Sequence, residues 1–303
     1  MVKPKKRSGI IPGLIFAIVM VSVFLLGSIF SVKIFMKLIS GDKDQTLYTY
    51  FGQYPQTLVA GTDLTDAIIS AEYDENGISE VDGVRYQRVA RNDAENTSYD
   101  WGEDEYHYFK FEDILWRVLE NDDKTALLIS EDILDSYFMA TEAVDTTWES
   151  SIARSYLNGY DDFSGENQSF ISKAFSERQQ RALLKRTATG GTVEDFITLL
   201  SITDAENPEF SFTALGGDVN IRRTARNTTF ACAMGAPSFN GTDAEGNPAI
   251  NGHWTLTDMG NNAGYFAYVS DDGTVTSEGA DCVSKKAGIR PVIYVDLNLL
   301  EKY

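Results

Sequence analysis

Tyr106-His-Tyr-Phe-Lys-Phe-Glu-Asp-Ile-Leu-Trp-Arg-Val-Leu119, followed by Asn121-Asp-Asp-Lys124 and Thr125-Ala-Leu-Leu-Ile-Ser130, sets the architecture of this chain. Aromatic and branched residues fill both arms, and four polar turn formers separate them. The pattern predicts an antiparallel hairpin in which the first arm is one bent strand or two consecutive ones. The second arm is almost wholly apolar, so the hairpin is expected in the core.

The segments on the N-terminal side are shorter. Asp82-Gly83 marks a turn ahead of a strand over Val84–Ala90, and the polar residues 91–105 read as an exposed loop. Thr62 to Ile68 carries polar caps and apolar residues at 64, 67 and 68, a short amphipathic helix. Thr46 to Phe51 reads as a strand that stops at Gly52. On the C-terminal side two helices are expected from capping boxes, Thr146 with Glu149 and Ser176 with Gln179. In the first, Trp148, Ile152 and Tyr156 share one buried face. Beyond Gly216 the chain is rich in Gly, Asn and Asp, which implies long loops and short strands. Tyr265–Val269 and Thr274–Thr276 flank the turn Ser270-Asp-Asp-Gly273, and Arg290–Asp296 closes the fold as a strand with Pro291 near its start.

The N-terminus has a different character. Residues 9–32 contain no charge, follow Lys3, Lys5, Lys6 and Arg7, and precede every acidic residue of the chain. As a helix they would reach roughly 36 Å, more than a hydrocarbon core of about 30 Å. The basic flank predicts a cytoplasmic tail over 1–9, a transmembrane signal anchor over 10–36, a stalk over 37–45 and an extracellular domain over 46–300. A cleaved secretory signal is the alternative, but the run is long for one and no A-x-A site follows it.

After residue 40 the chain holds all 45 acidic residues and 20 of the 26 basic ones, a net charge of −25. That field repels nucleic acid and anionic head groups, so neither is expected as a partner. The two cysteines, Cys232 and Cys282, permit a disulfide in an oxidising compartment, with two buried thiols as the alternative. With two cysteines and two histidines there is no zinc spacing, and no metal or other cofactor is expected.

Common catalytic signatures are absent: no G-x-S-x-G elbow, phosphate-binding loop or H-E-x-x-H pair occurs. His107 and His253 sit among strand or loop residues, and pairs such as Glu103 and Glu105 do not stand out in so acidic a chain. Trp254, within Asn251-Gly-His-Trp-Thr-Leu-Thr-Asp258, precedes a Gly- and Asn-rich stretch. An indole there could stack on a sugar or peptide while Asp258, Asn261, Asn262 and Tyr265 supply polar contacts; a core tryptophan at a strand start is the other reading.

In order along the chain, Phe51-Gly-Gln-Tyr-Pro-Gln56, Phe109 to Leu119, Ala126 to Asp135, Thr147-Trp-Glu149 with Arg154 and Tyr156-Leu-Asn158, Lys173-Ala-Phe-Ser-Glu177, and Trp254-Thr-Leu-Thr with Gly288-Ile-Arg-Pro-Val292 resemble DUF6273, a family of bacterial surface domains. The closing Trp segment, Gly-Asp hairpin and G-[VI]-R-P strand are similar to C-type-lectin-like and formylglycine-generating domains. The resemblance implies an α+β fold for the outer domain, C-type-lectin-like, with twisted antiparallel sheets, two packed helices and a long-loop region, which would follow the N-terminal transmembrane helix read from residues 10–36. It imports no activity, because the closely spaced cysteine pair of formylglycine generation and the calcium-lectin motifs are missing. The family's usual Trp-Leu-Arg-Ser is here Trp254-Thr-Leu-Thr, without the arginine.

The expectation is a non-enzymatic, membrane-anchored extracellular binding module on a bacterial cell surface, with a carbohydrate, peptide or protein ligand held by the loops between Gly216 and Lys286. A hydrolase of wall glycan and a structural or sensor surface protein are the alternatives. Arg117, Arg154 and Arg290 are expected to be structural, paired with carboxylates.

Overall fold

The computed structural model describes residues 48–93, 104–166, 168–210, 212, 223–237 and 251–300. The expected hairpin is its centre. β1 is Tyr48–Val59, β2 Ile78–Val81, β3 Val84–Ala90, β4 the long Tyr106–Asn121 and β5 Thr125–Ser130. β4 pairs antiparallel with β5, with β3 and with β1 along most of its length, and β3 pairs with β2. Three-residue β6 (Asp135–Tyr137) is followed by the two-residue strands β7 (Leu183–Leu184), β8 (Arg186–Thr187), β9 (Glu194–Asp195) and β10 (Ile197–Thr198). The C-terminal strands are β11 (Trp254–Met259), β12 (Tyr265–Val269), β13 (Val275–Asp281), β14 (Ala287–Ile289) and β15 (Val292–Asp296). β15 pairs with β5, β7 and β10, which joins it to the β4–β5 sheet. A second sheet runs β13-β12-β11-β14-β6, antiparallel except where Trp254 and Gly288 meet in parallel.

Side chains alternate faces along a strand, so a strand buried on both faces reads as a continuous apolar run. β5 and β15 do this. Ala126, Leu128, Ile293 and Val295 belong to one core cluster with Phe51, Trp116, Phe170 and Phe175; Leu127, Ile129 and Val292 belong to another with Trp254, Leu256 and Val269. The hairpin therefore forms the wall between two cores.

Several expectations change. The α+β class with two packed helices gives way to a chain dominated by strands, some of 12 and 16 residues. The first helix becomes a 3-10 turn at Trp148–Ser150 and a seven-residue helix at Ile152–Asn158, because Ser151 re-caps the chain by accepting from the Arg154 N–H. The second is a four-residue helix, Glu177–Gln180, with the expected Ser176–Gln179 capping box. β1 does not stop at Gly52. The glycine adopts φ +72° and lets the strand kink and continue through Pro55, which an edge strand tolerates. No helix among the described residues is long and apolar enough to cross a membrane, so the single-pass anchor and the cell-membrane localisation find no support in the structure. Residues 10–36, on which both rested, lie outside the described residues, as do 94–103 of the expected loop and much of the stretch beyond Gly216.

The arginines face carboxylates. Arg117 donates to both Glu131 oxygens, at 2.8 and 2.6 Å, and Arg154 donates through Nε to Asp195 at 2.9 Å. Fully buried Arg290 lies 3.8 Å from Glu131 and donates to the Ser130 carbonyl at 2.8 Å. Burial, with Arg117 nearby, pulls its pKa down to about 9.

A Cβ on Gly52 would lie 2.5 Å from the Phe175 ring and 2.8 Å from the Ala174 carbonyl. Gly52→Ala should therefore cost about 2–4 kcal/mol, from left-handed strain plus overpacking, read as a lower urea midpoint; an unchanged midpoint would contradict this packing. Cys232 and Cys282 are buried and not joined to each other, and burial lifts the Cys282 thiol to about 11. An aromatic disulfide reagent at pH 8 should thus find neither thiol quickly in the native protein and both after denaturation without reductant, whereas a disulfide would leave none to react.

Candidate functional site

A solvent-facing cleft of about 340 Å³ lies where β3, the turn before β2 and two short helices meet. Its turn is built by Asp74, whose Oδ1 accepts from the N–H groups of Asn76 at 2.9 Å and Ile78 at 2.7 Å. Gly77 closes it at φ +72°, where a Cβ would lie 2.6 Å from the Arg88 carbonyl. Gln87, on β3, is only 6% exposed. Its Nε2 donates to the Asn76 carbonyl at 2.7 Å, while its buried Oε1 has no hydrogen-bond partner. Arg88 is held between the rings of Tyr73 and Tyr106, 4.6 and 4.4 Å from their centroids.

The opposite wall comes from helices Phe170–Ala174 and Thr229–Ala233. Ser169 and Ser172 form a capping box at the start of the first, and the Phe170 ring lies tilted against Tyr54 with centroids 4.5 Å apart, which fixes Lys173 in the next turn. Thr229 anchors the second helix to β1, since its hydroxyl donates to the Gln56 carbonyl and accepts from the Leu58 N–H, both at 2.7 Å. That contact sets Phe230 edge-on against Tyr54 and Phe109. The Lys173 ammonium lies 5.7 Å from the Tyr54 ring centroid and 5.9 Å from that of Phe230. No carboxylate stands within ion-pair distance of it among the described residues. Burial lowers its pKa, partly opposed by the Asp135 carboxylate.

Behind Lys173, Tyr54 and Tyr156 both donate to Asp135 Oδ2, the latter at 2.5 Å, with their hydroxyls 3.0 Å apart. The Ser136 N–H donates to Asp135 Oδ1 at 2.7 Å. Burial, then the Asp135 charge, pushes both phenols well above their ordinary pKa. Asp135 thus accepts three hydrogen bonds in the core behind the cleft, and Tyr137 stacks on Tyr156 at 4.1 Å to brace it.

The residues singled out from sequence lie elsewhere. Trp254 is fully buried, donates to the Arg223 carbonyl at 3.0 Å and carries the Arg290 guanidinium 5.0 Å above its ring, so its faces are not open to a ligand. Asp258 accepts from the Ile202 N–H at 2.7 Å and fixes the start of a short helix. Asn261 and Asn262 are exposed beside half-buried Tyr265 at one end of the β11–β12 hairpin, whereas Trp254 pairs with Val269 at the other. The structure does not bring the five together. His253 stacks on Tyr268 and meets Asp271 at 3.2 Å, and His107 is buried, which lowers its pKa. Asp272 receives the Thr274 N–H at 2.9 Å, as the turn reading requires. No cluster of three or more metal-ligating side chains occurs among the described residues.

Residues 123–297, more than half of the chain, match the family model of a domain of unknown function, DUF6273, and the chain belongs to that family. No curated protein and no solved structure matches it, so the distant lectin-like similarity is not confirmed. The matched stretch contains Asp135, Tyr156, Lys173 and Phe230; the Asp74–Tyr106 wall of the cleft precedes it.

Asp135→Asn would replace a charged acceptor of two buried phenols by an amide with fewer lone pairs, at a cost of about 2–4 kcal/mol, while Tyr156→Phe should cost about 1–2 kcal/mol. Urea unfolding of both variants checks this, and an Asp135→Asn protein as stable as the parent would show that the carboxylate is not the keystone of the polar core behind Lys173.

Proposed function

We propose that this member of DUF6273 is a non-enzymatic binding module whose small polar ligand, carbohydrate or peptide in chemistry, seats in the cleft bounded by Gln87 and Lys173. The observation that carries the reading is that two residues lining the same cleft have polar groups with unused capacity: a buried amide oxygen without a partner, and an ammonium that packs against two aromatic rings with no carboxylate in ion-pair contact among the described residues. A buried polar atom left unsatisfied costs about 1–3 kcal/mol, and a ligand that supplies the missing donor or anion recovers it. The cleft volume falls within the range of small-molecule sites, and its apolar wall of Val89, Phe230 and Met234 offers surface beside the polar groups.

Asp135 speaks for binding rather than turnover. It is the buried carboxylate nearest in role to a general acid or base, yet it accepts from two phenols and a backbone N–H. Asp135 is buried behind the cleft and is not among the residues that line it. Hydrolysis of wall glycan would require a carboxylate free to exchange a proton with the ligand.

Thermal denaturation of the full chain against amino acids, short peptides, monosaccharides and disaccharides tests the reading. A ligand at 100 times its Kd should stabilise by about 2.7 kcal/mol, a rise in Tm of about 5–11 °C. Lys173→Met and Gln87→Leu should each remove that shift while keeping the cooperative transition. If no compound from any class raises Tm, the cleft is structural and the reading fails.

A further inference from the structure

We infer that the ligand of this cleft is a zwitterion of the amino-acid type, a free amino acid or short peptide, with its carboxylate on the Lys173 ammonium and its own ammonium toward Gln87 Oε1 and the acidic lip at Glu75 and Asp93. The inference rests on the binding-module reading and names the ligand class of that same site.

Charge selects among the polar ligands. Lys173 presents a positive charge with no carboxylate in ion-pair contact among the described residues and only the more distant Asp135 and Asp74 charges to offset it, so a neutral sugar leaves that charge without a direct partner and a simple cation is repelled by it. Glu75 and Asp93 are exposed at the mouth, on a chain whose net charge beyond residue 40 is −25, so a purely anionic ligand is repelled on approach. A zwitterion carries no net charge through that field and places opposite charges where the cleft has opposite charges.

Hydrogen bonding selects in the same direction. The Gln87 amide is 6% exposed, its NH₂ is engaged by the Asn76 carbonyl, and its Oε1 calls for a donor. An ammonium N–H is a charge-assisted donor to an amide oxygen, stronger than a hydroxyl. Phe230 and Met234 provide a place for an apolar side chain next to the charged ends.

Calorimetric titration of the full chain at pH 7 with the dipeptide Ala-Leu, N-acetyl-Ala-Leu, Ala-Leu amide and maltose is the test. Ala-Leu should bind, and blocking either terminus should weaken binding at least tenfold, as should Lys173→Met with the unblocked dipeptide. Blocked peptides that bind the parent protein as well as Ala-Leu does would overturn the zwitterion, and this comparison needs no variant to fold. Maltose binding without dipeptide binding would also overturn it while leaving the binding module standing. Silence from all four probes, with a hit elsewhere in the thermal panel, rejects the ligand class alone; silence in both experiments rejects the module as well.

Discussion

Two-sided burial of β5 and β15 is the constraint on which the rest of the molecule depends. An antiparallel sheet commonly faces water on one side, and its strands then alternate apolar and polar. Here Ala126 and Leu128 look into the core that holds Trp116 and Phe175, while Leu127 and Ile129 look into the one that holds Trp254 and Val269. The short helices and the second sheet exist to cover these two faces. None of the described helices is long enough to be stable alone, so each is held by a cap and by the aromatic residues it places against the sheet.

The polar interior follows from that covering. Buried charges must be paired or hydrogen-bonded. Asp195 meets this demand by accepting from Trp148 at 3.0 Å and from Arg154, and Glu131 does so beside Arg117 and Arg290. Asp135 meets it through two phenols. Lys173 and Gln87 depart from the pattern, and both line the cleft. Buried side-chain atoms without a hydrogen-bond partner occur elsewhere too, at Thr49, Ser136 and Asn227 among others, so the physical reason to look for a ligand here is that an ammonium and an unpaired amide oxygen belong to residues lining one open cavity.

The strands were readable because their signal is local. The β4–β5 hairpin, the β12–β13 turn at Ser270–Gly273 and the closing β15 each carry alternating or continuous apolar runs bounded by turn residues. Helix lengths were not readable: the box expected at Thr146 and Glu149 forms one residue later, between Thr147 and Ser150, the Ser176–Gln179 box forms as expected, and tertiary packing sets where each helix stops. The site was hidden for a different reason. Tyr54, Asp135, Tyr156 and Lys173 all lie in segments that resemble the family, but they are up to 119 positions apart and no spacing rule joins them. Trp254 attracted notice through its Gly- and Asn-rich neighbours, yet a parallel contact with Gly288 draws it into the core. Composition reports that a loop is near; it does not report which way an indole turns.

The partition formed by β5 and β15 also restricts how this domain can change over time. A strand with one wet face can accept polar or bulkier residues at every second position, and such positions absorb drift. β5 offers almost none, and a single-residue insertion would send each core's side chains into the other. A change of volume on one side pushes the shared strand toward the opposite core, so the cleft half and the C-terminal hairpin half must adapt together. Novelty is therefore confined to the borders of the partition, in the turns and short helices that frame the cleft.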